Sequence, residues 1–436
     1  MKFISTNKSD LKASLKEAVL EGMARDGGLY LPEHIPSLDP EFLTHLPNLN
    51  FQEIALKITS AFLADDIPAK DLEQIVNESM KIDVKLSKLS DQVSVLETFH
   101  GPTMAFKDFG ARFMAQLMSY LMRGESQELT ILVATSGDTG SAVASGFLGV
   151  PGIRVIILYP SGKVSPSQEK QLTTQGQNIT ALEIDGTFDD CQRMVKAAFA
   201  DQELRQEHLL SSANSINIAR LIPQTFYYAW ATGQLMGLGK DIIFSVPCGN
   251  FGNITAGLLA KRMGIPISHF IAATNVNAVF PEYLETGEVH ARPSLHTMSN
   301  AMDVGDPSNL ARINCLYNGD LESIRADFHS WSYSDAETQL MIKSTYDTYG
   351  YIADPHTAVG LLGMREYQRK QGGDTWQGVV VSTAHPAKFP ESVEPIIGSK
   401  LEIPAQLAKY LDREKQATQM STSYAEFRQY LVDTLS

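Results

Sequence analysis

The chain is organised around ETFHGPTMAFKDFGARFMAQLMSY, residues 97–120. Gly101 and Pro102 mark a turn, and the residues beyond it have helical spacing with apolar side chains on nearly every face. Phe106, Phe109, Phe113 and Leu117 run along one side, and Ala111, Met114 and Met118 along the other. A helix that is apolar all round is a buried helix. Between Leu89 and Met122 the only cationic side chains are Lys107 and Arg112. Lys107 therefore lies near the start of a buried helix, where desolvation disfavours its charged form. A lysine held neutral is a nucleophile suited to Schiff-base chemistry. A lysine at a helix end also snorkels its amine to water, and this stretch alone leaves both uses open.

Outward from it, the chain from about residue 93 reads as strand, loop, helix, repeated. ILVA (131–134) is a short apolar β run, followed by TSGDTG (135–140) and a small-residue helix. VIIL (155–158) is the next strand, after which Ser165, Pro166 and Gln168 open a helix with an N-cap, a first-turn proline and a box-closing glutamine. ALEI (181–184), IIFSV (242–246), FIA (270–272) and VVVS (379–382) continue the alternation. Such patterning predicts an α/β protein with parallel sheets covered on both faces. Sheets of this kind bind ligands at the carboxyl ends of their strands. Residues 1–90 differ: a Ser14–Glu17 capping box, helical spacing and a stop at Gly27–Gly28 precede two more helical patterns over roughly 50–82. We expect a mainly helical N-terminal domain over 1–90. An α/β domain over 91–235 and a second over 236–436, ending in a helical extension, follow it, with interleaving allowed. Between 275 and 321 the pattern fades, and that segment is expected to be irregular but ordered.

With 436 residues, 43% of them hydrophobic and 20% charged, the chain has an ordinary globular composition and room for more than one domain. The net charge of −14 argues against nucleic-acid or anionic-membrane binding. It also requires that any anionic substrate be held by a local cluster of cations. Cys191, Cys248 and Cys315 are too few and too scattered for a disulfide framework or a zinc site, which points to a reducing compartment. The ten histidines include no HExxH spacing, so no metal site is expected. The first residues lack an apolar signal core, and no apolar run approaches the ~20 residues of a membrane span. A cytoplasmic location is the expectation.

Four loops could carry chemistry. SVPCGNFGN (245–253) leads from a strand into a helix, and Gly249 and Gly252 would let backbone N–H groups approach an anion at a helix N-terminus. Asn250 and Asn253 could add donors, and a plain turn is the alternative. TSGDTG has the same placement, but Asp138 would repel a bare anion, so a carboxylate flanked by an ammonium group fits it better. SANSINIAR (212–220) brings Ser215, Asn217 and Arg220 to a helix start. STAHPAKF (382–389) ends a buried strand with Thr383, His385 and Lys388.

These stretches, together with DGGLYLP (26–32) and ATNVN (273–277), occur in the order found in threonine synthases, and the chain resembles that family over nearly its whole length. FHGPTMAFKDFG (99–110), GNFG (249–252) and TAHPAKF (383–389) form a specific combination. The resemblance implies the fold of fold-type-II pyridoxal 5′-phosphate (PLP) enzymes, similar to the tryptophan synthase β chain. It further implies that Lys107 carries PLP as a Schiff base and moves protons. Gly249, Asn250, Phe251, Gly252 and Asn253 would surround the cofactor phosphate, with Thr383 near the pyridine nitrogen. The implied reaction converts O-phospho-L-homoserine and water to L-threonine and phosphate, the last step of threonine biosynthesis, in a monomer or homodimer.

Loss of the Cα and Cβ protons, expulsion of the γ-phosphate and addition of water at Cβ need a mobile amine and cations for the departing phosphate. Arg112, Lys163, Arg220 and Lys388 are the candidate cations, the two arginines first because their forks match phosphate. Ser215 and Asn217 are neutral donors, and Thr135, Ser136, Asp138 and Thr139 form the expected carboxylate loop. Many related enzymes have Asn where this chain has Asp138, so contact with the cofactor ring oxygen is not carried over. Orienting the neighbouring threonines is the expectation instead. No counterpart of the effector-binding extension of plant relatives is visible. The rival outcomes are a phospho-lyase releasing 2-oxobutyrate, a PLP dehydratase, and a non-enzymatic paralogue. The intact Lys107 argues against the last.

Overall fold

The computed structural model describes residues 1–435. Its two main sheets are built from buried strands rich in Val, Ile and Leu, which pair in parallel because helices cover both faces. The smaller, five-stranded sheet has the strand order Thr418–Met420, Ile179–Ile184, Ile153–Pro160, Leu129–Ala134, Leu209–Ser212, all parallel. The larger has six strands in the order Phe328–Ser332, His269–Thr274, Asp241–Pro247, Trp376–Ser382, Val93–Glu97, Lys85–Lys88, with only the last pair antiparallel.

Sheet membership crosses the expected domain limits. Val93–Glu97 pairs with Trp376–Ser382 in the larger sheet, while the C-terminal Thr418–Met420 adds to the smaller one. The N-terminal region carries the helices Leu15–Glu21, Pro40–His45, Phe51–Leu63 and Ala69–Ser79. It also holds an antiparallel three-stranded sheet of Phe3–Ser5, Lys12–Ala13 and Tyr30–Pro32, so it is not helical throughout. The 275–321 segment is more regular than expected, with helices at Val279–Thr286 and Leu310–Leu316.

The helix predicted from the opening stretch begins at Lys107 itself and ends at Leu121. Phe109, Ala111, Phe113, Met114, Leu117 and Met118 are fully buried. Phe109 meets Phe51 and Tyr227 edge-on, with centroids 5.7 and 5.5 Å apart. Helix Asp138–Phe147 lies against the same helix so closely that a side chain on Gly146 would stand 3.0 Å from the Ala111 backbone. The capping boxes at Ser14–Glu17 and Ser165–Gln168 form as read. Among the described residues no helix is long and apolar enough to cross a membrane.

Candidate active site

The loops singled out above all leave the carboxyl ends of parallel strands. The turn after Val93–Glu97 is fastened to the neighbouring strand end: Thr98 Oγ1 donates to Ser382 O at 2.7 Å and Phe106 N–H to Thr383 O at 2.9 Å. Within it, the Asp108 carboxylate accepts from Thr103 N–H (2.9 Å) and Thr103 Oγ1 (2.6 Å). Gly101 packs so tightly on Asp108 that a Cβ would fall 2.4 Å from its oxygen. This brace sets where the helix starts, and so where Lys107 points.

Lys107 is half-buried, and its amine makes no hydrogen bond or ion pair among the described residues. Burial lowers its pKa to about 8; Asp138 opposes the shift, while Arg220 and Lys388 reinforce it. Thr383 is buried beside this turn and joined to it through its carbonyl. His385 caps the Pro386–Lys388 turn by accepting from Ala387 N–H, and burial pushes its pKa to about 4, so its ring is neutral.

Asp138 and Lys388 form a buried ion pair between the two sheet-end loops. The Lys388 amine, fully buried, donates to Asp138 Oδ1 at 2.5 Å and to Thr103 O at 2.9 Å, and Gln168 Nε2 donates to the same carboxylate oxygen at 2.9 Å. Burial alone would raise the Asp138 carboxyl. Lys388, Lys107 and the hydrogen bonds outweigh it and hold the group far below the usual carboxylate range. Asp138 therefore anchors Lys388 rather than orienting the threonines. Thr135 orients the loop itself, its hydroxyl oxygen accepting from Gly137 and Gly140 N–H at 2.9 Å each. Ser136 and Thr139 are half-buried, and their hydroxyls make no hydrogen bond among the described residues.

At the 245–253 loop, Phe251 takes a left-handed backbone (φ 60°) and helix Gly252–Arg262 starts directly after it. The N–H groups of Gly249, Asn250 and Phe251 have no acceptor among the described residues, and they directly precede that helix, whose N-terminus is its positive end. Side chains hold the loop from behind. Asn250 Nδ2 donates to Ser215 Oγ at 2.5 Å, Asn250 Oδ1 accepts from Ser308 N–H at 2.7 Å, and Asn253 Nδ2 donates to Pro247 O at 3.0 Å. Asn250 and Asn253 thus shape the loop, and the backbone supplies the open donors.

The remaining expected cations separate. Arg112 points away, toward the N-terminal region, donating to the carbonyls of Glu78 and Ser79 at 2.9 Å where helix Ala69–Ser79 ends. It caps that helix and is not part of the cleft, contrary to its expected first rank. Lys163 is exposed on the loop after Ile153–Pro160. Arg220 is buried against Gly110, gives Nη1–H to Ala213 O, and keeps a buried Nε–H with no acceptor. Burial lowers its pKa to about 10 against the pull of Asp108. Asn217, expected to bind substrate, is fully enclosed: it caps helix Ile218–Leu221 and donates to Val19 O and Ser212 O. Thr103, Gln168, Asn309 and Arg312 were not foreseen. An arginine three residues after an asparagine, in the apolar run LARINCL (310–316), was the available signal for the last two.

The comparisons with known proteins fit this geometry. Residues 84–383 match the family described as pyridoxal-phosphate dependent enzyme, so fold and cleft together define a fold-type-II PLP enzyme. The flanks match narrower families, Threonine synthase N terminus over 2–80 and Threonine synthase, C-terminal over 357–431. The threonine synthase of Serratia marcescens is 41% identical over 99% of each chain, and that of Escherichia coli 40% identical over 99% of this chain and 100% of the other. The chain belongs to the threonine synthase family. The crystal structure of threonine synthase from E. coli superposes with a TM-score of 0.92 over 100% of both chains. A PLP-bound threonine synthase from Brucella melitensis, 36% identical, also gives 0.92, covering 99% of this chain and 98% of its own. A tomato threonine deaminase (Solanum lycopersicum) at 16% identity and TM-score 0.58, covering 84% of this chain and 91% of its own, shares the fold alone.

Proposed function

We infer that the chain is a PLP-dependent threonine synthase, converting O-phospho-L-homoserine and water to L-threonine and phosphate. The observation that carries this reading is an unpaired lysine amine of lowered pKa and a row of free backbone N–H groups at a helix N-terminus, both following strands of the same larger sheet, with one strand between them. An aldehyde-bearing phosphate ester fits that pair: the amine is the covalent anchor and the N–H row is the phosphate seat. PLP, when bound, supplies the electron sink. Lys107 holds the cofactor, and its Nζ is the base that takes the Cα and Cβ protons. Gly249, Asn250, Phe251, Gly252 and Asn253 enclose the cofactor phosphate, and the uncharged Thr383 hydroxyl does not force a proton onto the ring nitrogen.

Ser136, Thr139 and the first N–H groups of helix Asp138–Phe147 receive the substrate carboxylate. Lys163 and the free Nε–H of Arg220 are the donors left for the departing phosphate, because Lys388 is engaged by Asp138. Ser215 keeps a supporting role at the seat. In a test, PLP-loaded protein is given O-phospho-L-homoserine, and phosphate, threonine and 2-oxobutyrate are quantified together. The expected result is equal phosphate and threonine, both abolished by Lys107→Ala. Phosphate matched by 2-oxobutyrate would replace the synthase reading with a phospho-lyase.

A further inference from the structure

Arg312 is among the largest fully buried side chains of the chain, in helix Leu310–Leu316 and outside every loop considered above. Its guanidinium makes five hydrogen bonds. Nε and Nη2 donate to Tyr30 O at 3.0 and 2.9 Å, Nη2 to Ile216 O at 2.6 Å, and Nη1 to Ser215 O at 3.1 Å and Asn309 Oδ1 at 2.7 Å. Every acceptor is a neutral carbonyl or amide oxygen, and among the described residues no carboxylate pairs with it. Burying a cation with no counter-charge is unfavourable, and burial alone lowers its pKa to about 9. The other two buried cations differ: Lys388 has Asp138, and Arg220 feels Asp108.

The acceptors show what lies on the far side. Asn309, held by Arg312, donates its Nδ2 to Asn250 O at 2.9 Å. Ser215, whose carbonyl Arg312 holds, receives the Asn250 amide on its hydroxyl. Asn250 is thereby fixed at its carbonyl and both side-chain atoms, with Ser308 N–H on the third. Gly252 lets this frame close up, since a Cβ there would already stand 3.3 Å from Ser215 Cβ and 3.5 Å from Asn309 Nδ2. Tyr30 lies in DGGLYLP, a motif with no other part in the site, so Arg312 also ties the N-terminal sheet to the back of the loop.

We propose that Arg312 is a positioning residue for the cofactor phosphate: it frames the 249–253 loop through Asn309 and Ser215, and its unpaired charge is completed by the phosphate dianion seated there. This rests on the phosphate-seat reading above. The neutral frame alone could be built around an amide side chain; the charge is useful when an anion occupies the other side of the loop. Arg312 then acts on the phosphate end of the ligand and leaves the aldehyde end alone.

The test is equilibrium binding of PLP and of pyridoxal, which lacks the phosphate, to full-length protein freed of cofactor, with inorganic phosphate as competitor. Wild type, Arg312→Lys, Arg312→Met and Asn309→Ala are compared, and folding is checked by circular dichroism. Arg312→Met is expected to weaken PLP by about 10- to 100-fold while pyridoxal is nearly unchanged, with Arg312→Lys recovering part of the difference. The 31P resonance of bound PLP shifts in the same order. If Arg312→Met does not fold, Asn309→Ala, which cuts the frame but keeps the charge, still predicts a smaller loss confined to PLP. Equal losses for PLP and pyridoxal, or none in a folded variant, would overturn the proposal. A wild-type protein that does not prefer PLP to pyridoxal would instead remove the phosphate-seat reading itself.

Discussion

Lys107 feels one carboxylate and two cations, and the balance among them and burial sets its titration. Burial is the largest influence and lowers its pKa, Asp138 opposes it, and Arg220 and Lys388 add to it. The free amine is the reactive form, so labelling of Lys107 by an amine-directed reagent should be half-maximal near pH 8, where an ordinary lysine is still protonated. Removing the opposing carboxylate with Asp138→Asn should move that midpoint lower. Removing a reinforcing cation with Lys388→Met should move it higher. Mass-spectrometric labelling of cofactor-free protein reads both, and shifts of the same sign in the two variants would show that this balance is misassigned. Asp138→Asn also strands the buried Lys388 amine, at about 3–5 kcal/mol, so its thermal midpoint should fall well below that of wild type.

At the scale of the element, the 245–253 loop is constrained more tightly at one glycine than at the other. A Cβ on Gly249 would lie 2.7 Å from Met302 Cα and 2.9 Å from Ala301 O, both backbone, whereas Gly252 meets only side-chain atoms, at 3.3 Å and beyond. Gly249→Ala should therefore displace the loop, costing about 1–3 kcal/mol and clearly weakening PLP, while Gly252→Ala does less on both counts. Calorimetry with a PLP titration distinguishes them, and the reverse order would mean that the loop is held elsewhere. What the sequence revealed divides along the same line. Glycines after an apolar strand announce a helix-opening loop locally, and the all-round apolar pattern announced the buried helix that begins at Lys107. Arg112, Asn217 and Arg312 each have an acceptor far off in the chain, 33, 198 and 282 positions away, so no window of sequence shows what all of their partners are. The two-residue strand Lys12–Ala13 and the edge strand Thr418–Met420 were missed for the same reason: distant partners, not their own periodicity, make them strands.

For the whole molecule, the C-terminal segment is part of the smaller sheet's packing. Met420, Phe427 and Leu431 are buried with Leu182, Ile184, Cys191 and Met194, and Lys415 bridges Glu169 and Glu183. A chain ending at residue 414 loses three buried apolar side chains, roughly 5–9 kcal/mol at 1.5–3 each, which is comparable with the entire stability of an ordinary domain. It should be recovered insoluble or without a cooperative melt. A soluble, cooperatively melting truncation would show the tail to be dispensable. The interleaved strand order also has a consequence for synthesis. Val93–Glu97 leaves the ribosome early, yet its parallel neighbour Trp376–Ser382 follows nearly 300 residues later. At ~5–20 residues per second the gap is roughly 15–60 s, during which the strand that leads into the Lys107 turn has only Lys85–Lys88 beside it. The nascent chain therefore carries a half-built candidate site with an open, apolar strand edge for most of its translation.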